Sequence, residues 1–254
     1  MTPADEDALV PFPDGWERAT VIVAHPDDIE WGVAGAVAAW TAAGRTVSYV
    51  LVTSGEAGID TMAPAEARAV REAEERASAA IVGVSAVEFL GFPDGRIVED
   101  LDLRRALAAA IRRHRPDVVV AQHHGERWGE GPGQPWNSAD HRAVGRATMD
   151  AVADAANRWI FPDLDGEPWA GTQWIATPIA TAAATHAVDI GGIGDADVRS
   201  LAAHEQYLRA LGADDTLAYA ASVLASQAEA VASRFGGRRA VAFELTPGPA
   251  APVG

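Results

Sequence analysis

The stretch TVIVAHPDD at residues 20–28 decides the fold, because it joins a core strand to a polar turn. Residues 20–24 form a short apolar run rich in β-branched side chains, a pattern typical of a buried strand. His25, Asp27 and Asp28 follow it directly. Within a few residues, the chain changes from core-forming side chains to side chains that can carry chemistry.

Further apolar runs alternate with helical patterns. We predict strands over residues 20–24, 47–53, 87–90 and 117–121, and helices over residues 32–43, 64–82 and 101–113. This alternation predicts a Rossmann-like α/β fold, with a mostly parallel sheet and helices on both of its faces. Ligands of such sheets bind outside the carboxyl ends of the strands. The site should therefore be built from the residues that follow each strand.

The second half of the chain is less regular. Residues 123–137 form a Gly-, Pro- and Trp-rich loop, and loops of this length tend to be functional. We predict helices over residues 139–156, 196–211 and 216–235, and strands over residues 183–190 and 239–245. Because no linker divides the chain, we expect residues 1–254 to form one domain, with flexible ends at about 1–18 and 247–254.

Composition excludes several classes of protein. A net charge of -16 and a pI of about 4.7 disfavour nucleic acids and anionic membranes as partners. The absence of cysteine excludes disulfides and thiolate metal sites. The amino-terminal residues do not resemble a signal peptide, and no apolar run approaches the roughly 20 residues that span a bilayer. We therefore expect a cytoplasmic protein without a membrane partner.

Histidines and carboxylates gather at the predicted strand ends. His25 and Asp28 are three residues apart on a turn, where an imidazole and a carboxylate can meet one metal ion. His141, at the predicted start of a helix, is the best candidate for a third ligand. A site of His and Asp ligands suits zinc. A structural explanation is equally open, since Asp27 and Asp28 could cap the following helix and His25 could be a satisfied structural residue.

Several blocks of the chain resemble the LmbE-like, or PIG-L, deacetylase family. VIVAHPDDIE at residues 21–30 looks like the family signature, and DHRAVG at residues 140–145 resembles its later histidine motif. Blocks between them match in order: VTSGEAG at 52–58, REAE at 71–74 and FLGFPDG at 89–95. Residues 185–190 and 203–204 fit more loosely, so the resemblance covers about residues 20–210.

The resemblance implies a zinc-dependent N-deacetylase that holds one Zn²⁺ per chain. Its substrate would be a small N-acylated amino sugar or a conjugate of one. The residues that match the zinc ligands are His25, Asp28 and His141. Asp27 matches the general base, which takes a proton from the attacking water.

Four further residues are candidates for substrate binding. Arg71 and Asp94 match positions that contact the sugar in the family, although a solvated helix charge and a turn residue would look the same. His123 and His124 lie at the same rim of the predicted sheet, and they could equally be exposed loop residues.

One position departs from the family pattern. The usual His-Pro-Asp-His motif, whose first histidine helps to stabilise the oxyanion, reads Ser-Ala-Asp-His, with Ser138 at the first position. A substitute histidine is one hypothesis, with four candidates: His123, His124, His186 and His204. A metal-binding protein with little activity is a second.

Two other functions compete with the deacetylase. An amidase acting on a larger mycothiol-type conjugate would use the same machinery. A nucleotide-binding module is disfavoured, because no Gly-x-Gly-x-x-Gly follows the first strand. A homo-oligomer is compatible with the sequence, which does not fix the oligomeric state.

Overall fold

A single mixed sheet organises residues 7–129 and 131–252, which the computed structural model describes. Its strands in chain order are β1 (Val10–Pro11), β2 (Arg18–Val23), β3 (Thr46–Leu51), β4 (Ala86–Phe89), β5 (Val118–Ala121), β6 (Trp174–Pro178), β7 (His186–Asp189) and β8 (Ala240–Pro247). They are ordered β1-β7-β8-β6-β5-β2-β3-β4 across the sheet. Neighbours are parallel except at β8, which is antiparallel to both β6 and β7. The predicted Rossmann-like α/β class is confirmed.

Helices cover both faces of the sheet. They are α1 (Asp28–Gly32), α2 (Ala34–Ala42), α3 (Pro64–Ile81), α4 (Leu101–His114), α5 (Ala139–Ala156), α6 (Ala196–Ala202), α7 (Glu205–Ala210) and α8 (Thr216–Ala232). Successive side chains of a strand point to opposite faces, so β2 contributes to two cores. Val21 and Val23 pack with α2, whereas Ile22 packs with α4 and α5. Within the described residues, no helix is both long enough and apolar enough to cross a membrane.

Two predicted helices are interrupted in the structure. The helix predicted over residues 32–43 is divided at Val33, whose φ of -138° is not helical. The helix predicted over residues 196–211 is divided before Glu205, where the side chain of His204 is fully buried. Helix-forming residues continue through both breaks, so the sequence alone predicts continuous helices.

Two strands, β1 and β6, are not predicted by the sequence pattern. β1 has only two residues and lies within the stretch expected to be a flexible end. β6 is short and ends in Pro178, and proline within a run argues against a central strand. Pro178 is tolerated because it stands at the last position of the strand. β6 lies between β5 and β8, so it links the parallel part of the sheet to the antiparallel strand.

The described parts of both ends pack against the domain, in contrast to the predicted flexibility. Leu9, Phe12 and Trp16 are buried, and Phe12 and Trp16 belong to the core on the α2 face. Near the other end, the amides of Gly248 and Ala250 donate to the carbonyls of Gln173 and Thr172. These contacts replace the expected flexibility for residues 9–16 and 248–250, while residues 1–6 and 253–254 lie outside the described range.

Candidate active site

The carboxyl ends of four parallel strands meet at one cavity. Its volume is about 820 Å³. Its lining includes His25 after β2, Gly58 after β3, Asp94 after β4 and His123 after β5. At least one residue after each of these four strands therefore faces a common space.

Three side chains at this rim, which we call the rim cluster, converge from distant parts of the chain: His25, Asp28 and His141. Nδ1 of His25 lies 3.4 Å from Asp28 Oδ2, and Nε2 of His141 lies 3.0 Å from Asp28 Oδ1. The same two ring nitrogens are 3.3 Å apart. One ligand atom from each residue lies within 4.8 Å of the others, close enough to hold one ion.

Asn137 fixes the orientation of the His141 ring. Its Oδ1 accepts from the amide of Ser138 at 2.9 Å, so this atom faces Nδ1 of His141, 3.0 Å away, as an acceptor. Nδ1 of His141 therefore carries a proton, which makes Nε2 the ring nitrogen that could bind an ion at the rim cluster. The amide nitrogen of Asn137 donates to the carbonyls of His123 and Gly125, which holds the side chain in this orientation.

Two carboxylates fix His25 in the same way. Its Nε2 lies 3.1 Å from Asp94 Oδ1 and 3.3 Å from Asp140 Oδ2, while Nδ1 faces the rim cluster. Asp140 itself accepts from the amides of Gly95 and Ile97. A carboxylate behind a ligating histidine is the usual support for a metal-bound imidazole.

The electrostatics of the rim cluster favour a bound cation. Burial lowers the pKa of His25, but Asp28 and the carboxylates of Asp140 and Asp94 outweigh it and hold that pKa well above 6.5. Burial raises the pKa of Asp28, but His141 and His25 hold it well below its usual range. Protons here compensate a concentration of negative charge, and a divalent cation could do the same.

The donor set fits zinc. Two imidazole nitrogens and one carboxylate oxygen, each oriented by further hydrogen bonds, are the ligands of catalytic zinc sites, which keep a fourth position open. The cavity beside the rim cluster provides space for that position.

Asp27 lies beside the rim cluster, buried and held from two sides. Its Oδ1 accepts from Nη2 of Arg71 at 2.5 Å, and its Oδ2 accepts from Nε1 of Trp31 at 2.6 Å. Burial raises the pKa of Asp27, against the opposing effect of Arg71, to about 6. A carboxylate with this pKa is mostly ionised at neutral pH and still able to take a proton.

The backbone of Asp27 is unusual, since its φ is 88° in a residue other than glycine. The conformation is held by a hydrogen bond from its amide to Oε2 of Glu75, 3.2 Å away. Strained backbone of this kind clusters at functional sites. In this position Asp27 begins α1 without capping it through its side chain, which counts against the structural explanation for this aspartate.

The two predicted sugar-binding residues are both engaged with the protein. Arg71 is only 2% exposed, and besides Asp27 its guanidinium donates to the carbonyls of Pro26 and Gly55. Asp94 contacts His25 and accepts from the amide of Ala57 at 2.7 Å. Both residues line the cavity, so a contact with substrate stays a prediction, but positioning of Asp27 and His25 is what their geometry shows.

The four histidines considered as substitutes for the family's oxyanion histidine are separated by the structure. His123 lines the cavity, and its Nε2 donates to the carbonyl of Arg127 at 3.0 Å. Burial lowers the pKa of His123, which favours a neutral ring. His124 and His186 are not among the cavity residues, and His124 packs against Gly145 of α5. The predicted contact between His124 and substrate therefore has no support in this geometry.

His204, the fourth, belongs to a second set of titratable residues that we call the buried cluster: Glu30, Glu75 and His204. Nε2 of His204 lies 3.2 Å from Glu30 Oε2 and 3.7 Å from Glu75 Oε2, and all three side chains are fully buried. Ser78 donates to the other oxygen of Glu30 at 2.6 Å. Glu75 connects the buried cluster to Asp27, because its Oε2 accepts the hydrogen bond from the Asp27 amide. None of the three residues of the buried cluster lines the cavity.

Sequence reasoning missed several residues of the site. Asn137 and Asp140 stand within the quoted histidine block and could have been proposed as supports for a ligand. Trp31 follows Asp27 by four residues, the spacing that brings side chains together on a helix. Tyr207 gave no local signal, yet it lines the cavity with its ring 3.9 Å from the Arg71 guanidinium. Burial raises the pKa of Tyr207 to about 12, so its hydroxyl keeps its proton at neutral pH.

Comparison with known sequences finds a de-N-acetylase family and individual deacetylases that are similar to this chain. Residues 20–152 match the family described as PIG-L, GlcNAc-PI de-N-acetylase. Diacetylchitobiose deacetylase from Thermococcus kodakarensis is 32% identical over 147 residues, covering 57% of this chain and 52% of that protein. A 1D-myo-inositol 2-acetamido-2-deoxy-alpha-D-glucopyranoside deacetylase from Saccharopolyspora erythraea is 31% identical over 186 positions, covering 62% and 65%. The chain thus spans between half and two thirds of these relatives.

Solved structures extend the likeness to nearly the whole chain. The N,N'-diacetylchitobiose deacetylase of Pyrococcus horikoshii aligns with a TM-score of 0.78 at 25% identity, covering 97% of this chain and 89% of that one. The 4-carboxy-2-hydroxymuconate hydratase GalB from Pseudomonas putida shares the fold with a TM-score of 0.68 at 20% identity, covering 91% and 96%. Because one fold carries both reactions, the reaction must be argued from the site.

Proposed function

Because the chain belongs to the PIG-L, or GlcNAc-PI de-N-acetylase, family, we propose that it is a zinc-dependent amide hydrolase. Its reaction removes an N-acetyl or other N-acyl group from an amino sugar or an amino-sugar conjugate. The observation that carries the proposal is the rim cluster, in which His25, Asp28 and His141 present three oriented donors beside the buried carboxylate of Asp27. The deacetylase names of the relatives agree with this chemistry.

His25, Asp28 and His141 would hold the zinc, which would supply Lewis acidity: it would lower the pKa of a bound water to about 7 and polarise the amide carbonyl. Asp27 takes the proton of the attacking water. Its buried carboxylate is suited to this role because its pKa of about 6 lies close to neutral pH. Arg71 and Trp31 keep both oxygens of Asp27 in place. Asp27 then returns the proton to the leaving amine, so one water is consumed and a carboxylate and a free amine result.

A donor for the developing oxyanion must replace the histidine that Ser138 displaces. Ser138 is committed to its helix, because its hydroxyl accepts from the amide of His141 at 3.0 Å. His123 lines the cavity, but its Nε2 is used and its lowered pKa disfavours a second proton. The hydroxyl of Tyr207 is the better donor, since the residue lines the cavity and the hydroxyl stays protonated.

The test is acetate release from N-acetylglucosamine and N,N'-diacetylchitobiose by the purified protein. We expect turnover that a chelator abolishes and zinc restores, with about one zinc per chain by elemental analysis. Asp27→Asn should keep the zinc and lower kcat by at least about a hundredfold, and Tyr207→Phe should lower kcat by about a hundredfold with a smaller change in KM. Stoichiometric zinc with no amide hydrolysis from any N-acylated amino sugar would falsify the proposal.

A further inference from the structure

The cavity continues well past the rim cluster into a space with apolar walls, which we call the apolar arm. Four of its lining residues define it: Ile179, Ala180, Val231 and Val241. They come from the segment after β6, from α8 and from β8. Gln227 adds an exposed polar side chain from α8 to the lining. An amide-hydrolysing site for acetyl alone needs no such extension.

The apolar arm and the polar part of the cavity lie on opposite sides of the rim cluster. In the sheet order, β3 and β4 flank β2 on one side, whereas β6 and β8 lie on the other side, beyond β5. The segments after β3 and β4 bring Gly58, Asp94 and the neighbouring backbone to the cavity. The segment after β6 and the start of β8 bring Ile179, Ala180 and Val241.

An amide carries one substituent on its nitrogen and one on its carbonyl carbon, and these two groups extend in opposite directions from the reacting carbonyl. A sugar on the nitrogen carries hydroxyl groups that lose hydrogen bonds in an apolar environment, and the polar side of the cavity avoids this cost. The substituent on the carbonyl carbon then points towards the apolar arm. An alkyl chain is the group that gains from burial there, because apolar surface leaves water without leaving a polar atom unpaired.

We propose that the apolar arm binds the acyl chain of the substrate, so that the enzyme prefers N-acyl amino sugars with chains longer than acetyl. The inference rests on the proposed amide hydrolysis and names the substrate class of that same site. Water adds to the acyl carbon, the C–N bond breaks, the chain leaves as a fatty carboxylate and the nitrogen takes the proton. Burying each additional methylene gains about fourfold in kcat/KM for as long as the arm has room.

The experiment is a chain-length series of N-acylglucosamines carrying acetyl, butanoyl, hexanoyl and octanoyl groups. Free glucosamine is measured as the common product, with binding followed separately by calorimetry on the zinc-loaded Asp27→Asn protein. We expect kcat/KM to rise at least tenfold from acetyl to octanoyl, with the calorimetric Kd falling in parallel.

Two variants fill the arm, and one neighbouring variant controls for them. Val231→Phe and Ala180→Phe place a ring in the apolar arm, and each should lower the ratio of octanoyl to acetyl kcat/KM at least tenfold. Ala230→Phe adds the same ring to the exposed side of α8 and should leave the ratio unchanged. Ala180 is exposed, so its variant tests the arm even where the buried Val231→Phe fails to fold.

The outcomes separate this inference from the proposed function. Acetyl hydrolysis with a flat or falling chain-length series overturns the apolar arm and leaves the deacetylase intact. Octanoyl binding that Ala180→Phe removes, in a protein that hydrolyses no amide, supports the arm and overturns the hydrolase. Octanoyl preference that survives both filling variants also overturns the arm.

Discussion

The rim cluster and the buried cluster are built from the same kinds of side chain but differ in access. In each, three His and carboxylate residues bring ligand atoms within 4.8 Å of one another. The side chains of the rim cluster are 9% to 17% exposed and line a cavity, whereas those of the buried cluster are fully enclosed. The comparison teaches that donor atoms in proximity do not make a reaction site unless water and substrate can reach them.

The two clusters also balance their charge differently. Burial lowers the pKa of His204, but Glu30 and Glu75 outweigh it and raise that pKa to about 9. Burial and Glu30 raise the pKa of Glu75 well above its usual value. The buried cluster therefore holds its own protons, and its histidine serves as the internal counter-charge. The rim cluster faces an open cavity, so a cation from solution can supply its counter-charge.

Removing His141, one of the two histidines of the rim cluster, should have the largest effect on activity and a smaller effect on stability than removing His204. In His141→Ala, we expect zinc content to fall below about a tenth and kcat/KM for N-acyl amino sugars to fall by roughly three orders of magnitude or more. Elemental analysis and product release measure the two losses. The unfolding midpoint in chelator should fall less than in His204→Gln, because the His141 side chain is 12% exposed whereas that of His204 is fully buried.

His186→Ala is the matched control, because it removes a partly exposed histidine outside the cavity. Zinc content and activity should both be retained. Full zinc occupancy in His141→Ala would mean that the rim cluster does not hold the ion in the way its geometry indicates.

Removing His204, the histidine of the buried cluster, should have a large effect on stability and a small effect on zinc binding. His204→Gln removes the positive charge that faces Glu30 inside the buried cluster, a change that costs about 3 kcal/mol in the free energy of unfolding. Urea denaturation in chelator measures it, and the folded fraction of the variant should still take up one zinc. His114→Gln, which breaks a surface pair with Glu88 at 2.8 Å, should cost less than about 1 kcal/mol.

The contribution of His204 should depend on pH with a defined sign. Its pKa is higher in the folded protein than the ordinary histidine value of 6.5, so folding binds a proton and the stabilisation is complete below about pH 6.5. It is lost as the pH rises to about 9. The difference in unfolding free energy between the wild type and His204→Gln should therefore shrink between pH 6.5 and pH 9. A difference that grows over this range contradicts the assigned protonation.

The smallest predicted effect on activity follows from removing Asn137, whose side chain orients the His141 ring of the rim cluster. Asn137→Ala keeps all three donors but frees Nδ1 of His141, so zinc affinity or kcat/KM should fall by about 10- to 100-fold. Competition with a chelator of known affinity measures the first quantity. Asn157→Ala at the other end of α5 is the control, since its side chain accepts from the nearby Trp159 amide, away from the site. An unchanged affinity in Asn137→Ala would show that the rim cluster orients its own imidazoles.

The alternation of apolar runs made the parallel half of the fold predictable, and with it the rim where the site lies. Strand ends are local features, so His25 and Asp28 could be placed from the sequence alone. The strand β8 was predicted, but its antiparallel pairing and the short strands β1 and β6 were not, because strand pairing depends on residues far apart in the chain. The break at His204 also escaped prediction, since burial against Glu30 decides it.

The roles of charged residues were less predictable than their positions. Arg71 reads as a solvated helix charge or a sugar contact in sequence, yet its guanidinium is bound to Asp27 beneath Tyr207. His123 and His124 are adjacent in sequence but point to different surroundings, one to the cavity and one to α5. Such differences arise from side-chain direction and burial, which no single-sequence pattern encodes.

The positive φ of Asp27 has a consequence for attempts to stabilise this protein. A non-glycine residue in that conformation costs about 1–3 kcal/mol, so relaxing the backbone with glycine at position 27 would look attractive to an engineer seeking heat tolerance. The same replacement removes the carboxylate that Arg71 and Trp31 hold. A more stable backbone at residue 27 would therefore cost catalytic activity, so stabilising substitutions should be made at other positions of the chain.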